Sequence, residues 1–145
     1  MKIAEEIRQK LDHPMSRMDF YKEITYLLHY IRDGHTFAGL PTSDNILVLP
    51  FTLNVIDSRI FVTHDFNNPS FAPFEILEID GKDAKDIIRE MNRYTPFSTP
   101  MNLSFPLWLL PTFWSKKELH VLVKHDGKLE EIVVNAVTLQ KFSEI

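Results

Sequence analysis

The sequence predicts an α+β fold: an N-terminal helical hairpin, then a small curved antiparallel sheet with one capping helix. Three observations predict it. Apolar residues recur at helical spacing up to Ile31. A loop marked by Gly39, Pro41, Ser43, Asp44 and Asn45 follows, and beyond it the apolar residues fall in strand-like runs. One helical pattern then returns after Asp80-Gly81, between strands.

The elements follow in order. Ile3, Ile7 and Leu11 give residues 2–11 one apolar face, and His13-Pro14 ends that helix. Ser16 is positioned to cap a stronger helix, with Asp19 in its first turn. Phe20, Ile24, Leu27, Leu28 and Ile31 form its stripe, with Tyr21 beside them, and the stripe is expected to be core. Residues 45–55 and 59–64 read as antiparallel strands around an Asp57-Ser58 turn, with Pro50 at a strand start, edge or bulge. Phe74 to Ile79 is a strand, and Asp80-Gly81 turns it into a helix capped by Asp83. Ala84, Ile87, Ile88 and Met91 lie on the inner face of that helix, so Ile76, Ile79, Ile87 and Ile88 are expected in one core. Residues 94–114 hold four prolines among large apolar side chains that include Phe97, Phe105, Leu107, Trp108, Leu109, Leu110, Phe113 and Trp114, with a short helix predicted from Phe105 to Leu110. Such density favours a docking surface for a further domain over a simple wrap around the sheet. The chain closes with a hairpin, Glu118 to His125 and Leu129 to Val137, around Asp126-Gly127.

Composition narrows the function. The chain has 145 residues, 44% of them hydrophobic and 25% charged, as in a folded globular protein. A net charge of -4 with scattered lysines and arginines argues against a nucleic-acid groove. There is no cysteine, so a thiol nucleophile and a thiolate metal site are excluded. The start of the chain, residues 1–6, reads as a charged helix start and not as a secretory signal. The apolar stretch from Leu103 to Trp114 is too short to span a bilayer, which takes roughly 20 residues.

Asp33-Gly34-His35-Thr36 follows directly on the second helix. A glycine there stops the helix, and an imidazole on an anchored turn suits a general base. A histidine after a helix is also an ordinary turn residue. His29 and Asp33 lie four apart, but a third metal ligand would have to come from as far as His64 or Asp65, so no metal site is expected. No cofactor motif is present either. The alternating Glu118, His120 and Lys124 read as a solvated strand face.

Three segments carry a resemblance. They are the helix running into Asp33-Gly34-His35-Thr36, then Leu49-Pro50-Phe51, then Glu75-Ile76-Leu77-Glu78-Ile79-Asp80-Gly81-Lys82-Asp83-Ala84 leading into Ile87-Ile88. In this order they resemble the N-terminal half of a tail-specific, C-terminal-processing serine peptidase of the tricorn-core type. Ile79-Asp80-Gly81 stands where an Ile-Asn-Gly pattern is typical of the PDZ-like module in that family. The resemblance implies a helical region at 1–44 and a PDZ-like domain at 45–145, with the apolar segment 94–114 as an insertion. It implies that His35 takes the proton of a serine supplied by a catalytic domain of the same polypeptide, with Asp33, Gly34 and Thr36 shaping the turn. It implies peptide engagement near Leu49, Phe51 and Ile87, and an extracytoplasmic setting. Two departures stand out. Ala72-Pro73-Phe74 replaces the glycine usual before that strand. Val48 to Thr52 also lacks glycine and includes Pro50, which has no N–H, and this argues against capture of a peptide C-terminus.

None of Gly34, Gly39, Gly81 and Gly127 has a serine two places later, so the chain has no Gly-x-Ser elbow. Alone it is expected to be inactive. Two readings remain: the non-catalytic N-terminal portion of a serine peptidase, or a stand-alone PDZ-like module that binds a peptide or protein by strand addition.

Overall fold

A computed structural model describes residues 2–31, 36–41, 45–95 and 103–145. Two helices open the chain, α1 (Lys2–Leu11) and α2 (Arg17–Ile31). Ile7 buries the inner face of α1, and Lys10 Nζ reaches Glu23 of α2 at 3.1 Å. The start of α2 forms as its sequence requires. Ser16 Oγ accepts from Asp19 N at 3.0 Å and donates to the Asp19 carboxylate at 2.7 Å. The buried face of α2 differs from the expected one. Tyr21 and Thr25 are its buried residues, and Thr25 Oγ1 donates to Tyr21 O at 2.7 Å. Phe20 is 48% exposed and Ile31 51%, while Ile24, Leu27 and Leu28 are half-buried. One position along a helix is a rotation of ~100°. The side that packs inward is therefore the Tyr21 side, with Lys22 Nζ donating to Phe113 O of the last short helix before β6 at 3.0 Å, and the Phe20–Ile31 stripe is left largely outside.

The strands are β1 (Leu47–Val48), β2 (Phe51–Ile56), β3 (Arg59–Asp65), β4 (Phe74–Ile79), β5 (Lys82–Asp83), β6 (Glu118–His125), β7 (Lys128–Asn135) and β8 (Val137–Thr138). The expected strand over 45–55 is split, because Pro50 cannot donate to a ladder. Its carbonyl instead accepts from Phe66 N at 2.9 Å. Strands β2-β3-β4-β6-β7 pair in that order, all antiparallel, with β5 folded back on β4. Three two-residue turns set the registers. Asp57-Ser58, Asp80-Gly81 and Asp126-Gly127 each place both central residues at positive φ, as the right-handed twist of a tight hairpin demands. The Asp80-Gly81 turn therefore leads first into β5, and only then into helix α3 (Ala84–Asn92). Asp83 caps α3 by accepting from Lys85 N at 2.8 Å.

The core lies between this sheet, α3 and two short helices, α4 (Ser104–Trp108) and α5 (Leu110–Phe113). Ile60, Ile76, Ile79, Ile87 and Met91 are sealed in it, and Ile88 is only half-buried at its margin. Each fully buried aliphatic side chain contributes about 1.5–3 kcal/mol. The Pro-rich segment corrects the expectation of a docking surface. Leu103, Leu107, Leu109, Leu110 and Phe113 are all buried in the core. Two short helices meeting at Leu109 turn these side chains inward, where a single helix would leave part of them outside. Phe97 lies outside the described residues.

After β7 the chain leaves the main sheet. Ala136 N donates to Lys117 O at 2.8 Å, and β8 then pairs with β1, Val137 opposite Val48. The strand expected to run to Val137 thus ends at Asn135. A last helix, α6 (Leu139–Ser143), is capped by Thr138 Oγ1, which accepts from Lys141 N at 3.2 Å.

Candidate functional site

Asp33, Gly34 and His35 lie outside the described residues. Their setting is described on both sides. On one side is the last turn of α2. His29 Nδ1 lies 2.8 Å from Thr95 O, which fastens that turn to the end of α3. The Tyr26 and Tyr30 hydroxyls are 3.1 Å apart, and the Arg93 guanidinium lies over the Tyr26 ring at 4.9 Å. The Tyr30 hydroxyl, then Arg93, hold the Tyr26 phenol below its usual pKa, and the same Tyr26 bond raises Tyr30. On the other side, Thr36 is half-buried and Phe37 is 71% exposed.

The first half of α2 and residues 36–41 enclose a cavity of about 380 Å³. Met15, Phe20, Tyr21, Ile24, Ala38 and Pro41 give it an apolar lining. It opens on the same side as the uncovered stripe. This arrangement offers shape and apolar surface. Its described residues offer no acid, base or nucleophile in mutual reach.

The residues expected to meet a peptide are not at a surface. Leu49 and Ile87 are sealed in the core and have nothing to present, and Phe51 keeps only the edge that lines a cleft beside Asp65. The adjacent backbone is also committed. Leu49 N donates to Trp108 O at 2.9 Å, Leu47 N donates to Thr112 Oγ1 at 2.7 Å, and Pro50 has no N–H. A carboxylate loop needs consecutive free donors. The segment 48–52 does not supply them, because α4 and α5 pack against it.

Two carboxylates are tuned by structural pairs. Burial pushes Asp80 up, but Lys116 Nζ at 2.6 Å and His120 N at 2.8 Å outweigh it, and its pKa is lowered. Glu75 is held below the usual carboxylate range by the two-pronged bond from Arg59, at 2.7 and 2.9 Å, with burial opposing. Both pin strands, and Glu75 also lines an open cleft of about 410 Å³ with Arg59, Glu78, Asp83 and Lys85, in which its carboxylate is already committed to Arg59. Among the described residues, no three His, Asp or Glu side chains gather as a metal site would need, and no helix is long and apolar enough to cross a membrane.

A second cleft was not legible in the sequence. It lies between β7 and the start of β2, with Asp65 at its base. Asp65 is buried and its Oδ1 accepts from Asn67 N at 2.9 Å and Asn68 N at 3.1 Å. The Asp-x-Asn-Asn spacing is a local turn signal. It does not reveal which strand lies opposite. No family model matches the chain, and no curated protein matches it.

Proposed function

We propose that this chain is the non-catalytic N-terminal portion of a serine peptidase of the tail-specific, tricorn-core type: a helical region and a PDZ-like module that engage substrate and bring His35 to a serine on a catalytic domain of the same polypeptide. The observation that carries this reading is the apolar face of α2. Phe20, Ile24, Leu27 and Ile31 run along it toward its C-terminal end, after which His35 and then Phe37 follow in sequence, and all five apolar side chains are partly or mostly uncovered. Contiguous apolar surface of this kind is what a docked domain removes from water. A base that serves another domain belongs at the edge of such a face. Its ring must come within about 3 Å of the serine hydroxyl on assembly.

In a full-length protein containing this sequence, His35→Ala should cut turnover of an unstructured protein substrate by about two to four orders of magnitude and leave the melting temperature unchanged. Near-normal turnover would remove His35 from the mechanism in favour of a Ser-Lys pair. Absence of any serine reactive toward a fluorophosphonate would sink the peptidase reading. The 145-residue chain alone should take up no such probe, since it has no nucleophile elbow.

One observation favours the second reading, a module acting by strand addition. β7 ends the strand order of the sheet, with no further strand beyond it among the described residues.

A further inference from the structure

We propose that the open edge of β7 binds an extended, basic peptide segment, which adds to the sheet as its next strand. The strand addition rests on the second reading above, and the partner's chemistry goes beyond it.

The edge is free by geometry. His125 and Lys128 flank a two-residue turn, so they form a hydrogen-bonded pair, and such pairs recur at every second position. Leu129, Glu131, Val133 and Asn135 therefore direct their N–H and C=O groups away from β6. Among the described residues none of these groups finds a backbone partner elsewhere. Four residues in alternation, with eight strand positions to run along, are a template for another strand.

The edge is also shaped. The β1–β8 pair closes the seam between β2 and β7 at one end. Beyond it the seam widens into a cleft of about 320 Å³, lined by Pro50, Phe51, Asp65, Phe71, Ile132 and Val134. A strand laid on β7 would send alternate side chains into this cleft and the others over the outer face of the hairpin. On that outer face Leu129 is 66% exposed and Val133 52%.

The charges select the partner. Asp65 and Glu130 belong to the cleft, Glu131 stands on the outer face, and no lysine or arginine lines the cleft. The side chain that reaches Glu131 is His120, at 3.8 Å, a cation only when protonated; Lys124 stands on the same face opposite Leu129 and forms no ion pair with Glu131. Opposite charges on directly facing strand positions stabilise pairing, and like charges oppose it. An incoming strand with Lys or Arg facing Glu130 and Glu131, and β-branched residues between, meets both requirements. A second copy of β7 meets neither. Of the two antiparallel registers that pair seven of its eight positions, one sets Glu131 against Glu131, and the other sets it against Val133.

The test uses the full chain and an end-blocked, fluorescein-labelled peptide of alternating Lys and Val, read by fluorescence anisotropy and amide hydrogen exchange. The expected result is binding that weakens about tenfold or more between roughly 50 and 500 mM salt. The amides of Leu129, Glu131 and Val133 should gain protection. Glu131→Lys should weaken binding about tenfold. Val133→Pro removes one outward N–H without touching the β6 ladder, and should abolish binding while the β6 amides stay protected. If Val133→Pro does not fold, Glu131→Lys and Glu131→Gln carry the same decision. No binding, or protection appearing at β2 or α2 instead, overturns the proposal. Equal binding of a Thr-Val peptide overturns the basic chemistry and leaves strand addition standing. A dimer whose β7 amides are protected without peptide overturns both.

Discussion

Strands β3, β4 and β6 and helix α2 carry apolar residues in equally regular patterns, and the two regions have opposite fates. Ile60, Val62, Ile76, Ile79, Val121 and Val123 vanish into one core. Phe20 and Ile31 remain about half in water. The strands find their cover in α3, α4 and α5, all supplied by the chain within reach of the sheet. The stripe of α2 is covered only in part among the described residues, because the helix turns its Tyr21 side to the core. A periodic pattern announces an amphipathic element. It does not name what lies against it. In this protein the closed region gives stability and the open one gives the surface on which a function can act.

That contrast can be broken first in the core. Ile87→Ala should cost about 2–5 kcal/mol, seen as a lower midpoint in urea, because α3 cannot collapse onto a void beneath the sheet. Its neighbour Ile88 is half-buried, so Ile88→Ala should cost only about 1–2 kcal/mol. Equal losses would mean the helix is rotated from the face described. Next comes the turn from β4 to β5, which Asp80 ties to the start of β6. Asp80→Ala leaves His120 N and Lys116 Nζ without their acceptor and should cost about 1–3 kcal/mol, by the same measurement.

A smaller effect depends on pH. The folded pKa of Glu75 is lowered, so its pairing with Arg59 adds stability above the unfolded carboxylate value of about 4.3 and loses it as pH falls through the folded value. Glu75→Gln should therefore be less stable than the wild type at neutral pH, with the gap shrinking below about pH 4. A gap that stayed constant down to acid would show that Arg59 does not recognise the charge. The smallest change belongs to the open region. Phe20→Ser should shift stability by no more than about 0.5 kcal/mol in the isolated chain. A loss as large as that of Ile87→Ala would place the stripe in the core after all.

How far the sequence is readable follows the range of the interactions involved. The bounds of β4 and β6 could be read residue by residue, because the Asp-Gly turns that limit them act within four positions. The caps from Ser16 and Asp83 are equally local. The failures are all non-local. β1 and β8 are two residues long and exist only because each pairs with the other across about ninety positions of chain. Leu109 and Leu110 look like surface for docking until the bend between α4 and α5 turns them inward. Leu49 and Phe51 resemble a binding loop until α4 takes the backbone donor of Leu49. As to the candidate site, the α2 stripe is visible in the sequence but its periodicity points to the core, and the β7 cleft is invisible, since residues of β2 and β7 come to line one cleft only through the fold.

The pairing of β1 with β8 also governs how the protein carries load. Leu139 N donates to Ile46 O at 2.9 Å, so the chain enters and leaves the sheet at one point. Tension applied through the flanking stretches would fall on this short clasp and not along the long ladders of β2 to β7. The clasp would give way while the sheet beyond it kept its shape. A module tethered in this way can be pulled, swung or displaced by whatever adjoins it at little cost to its own order.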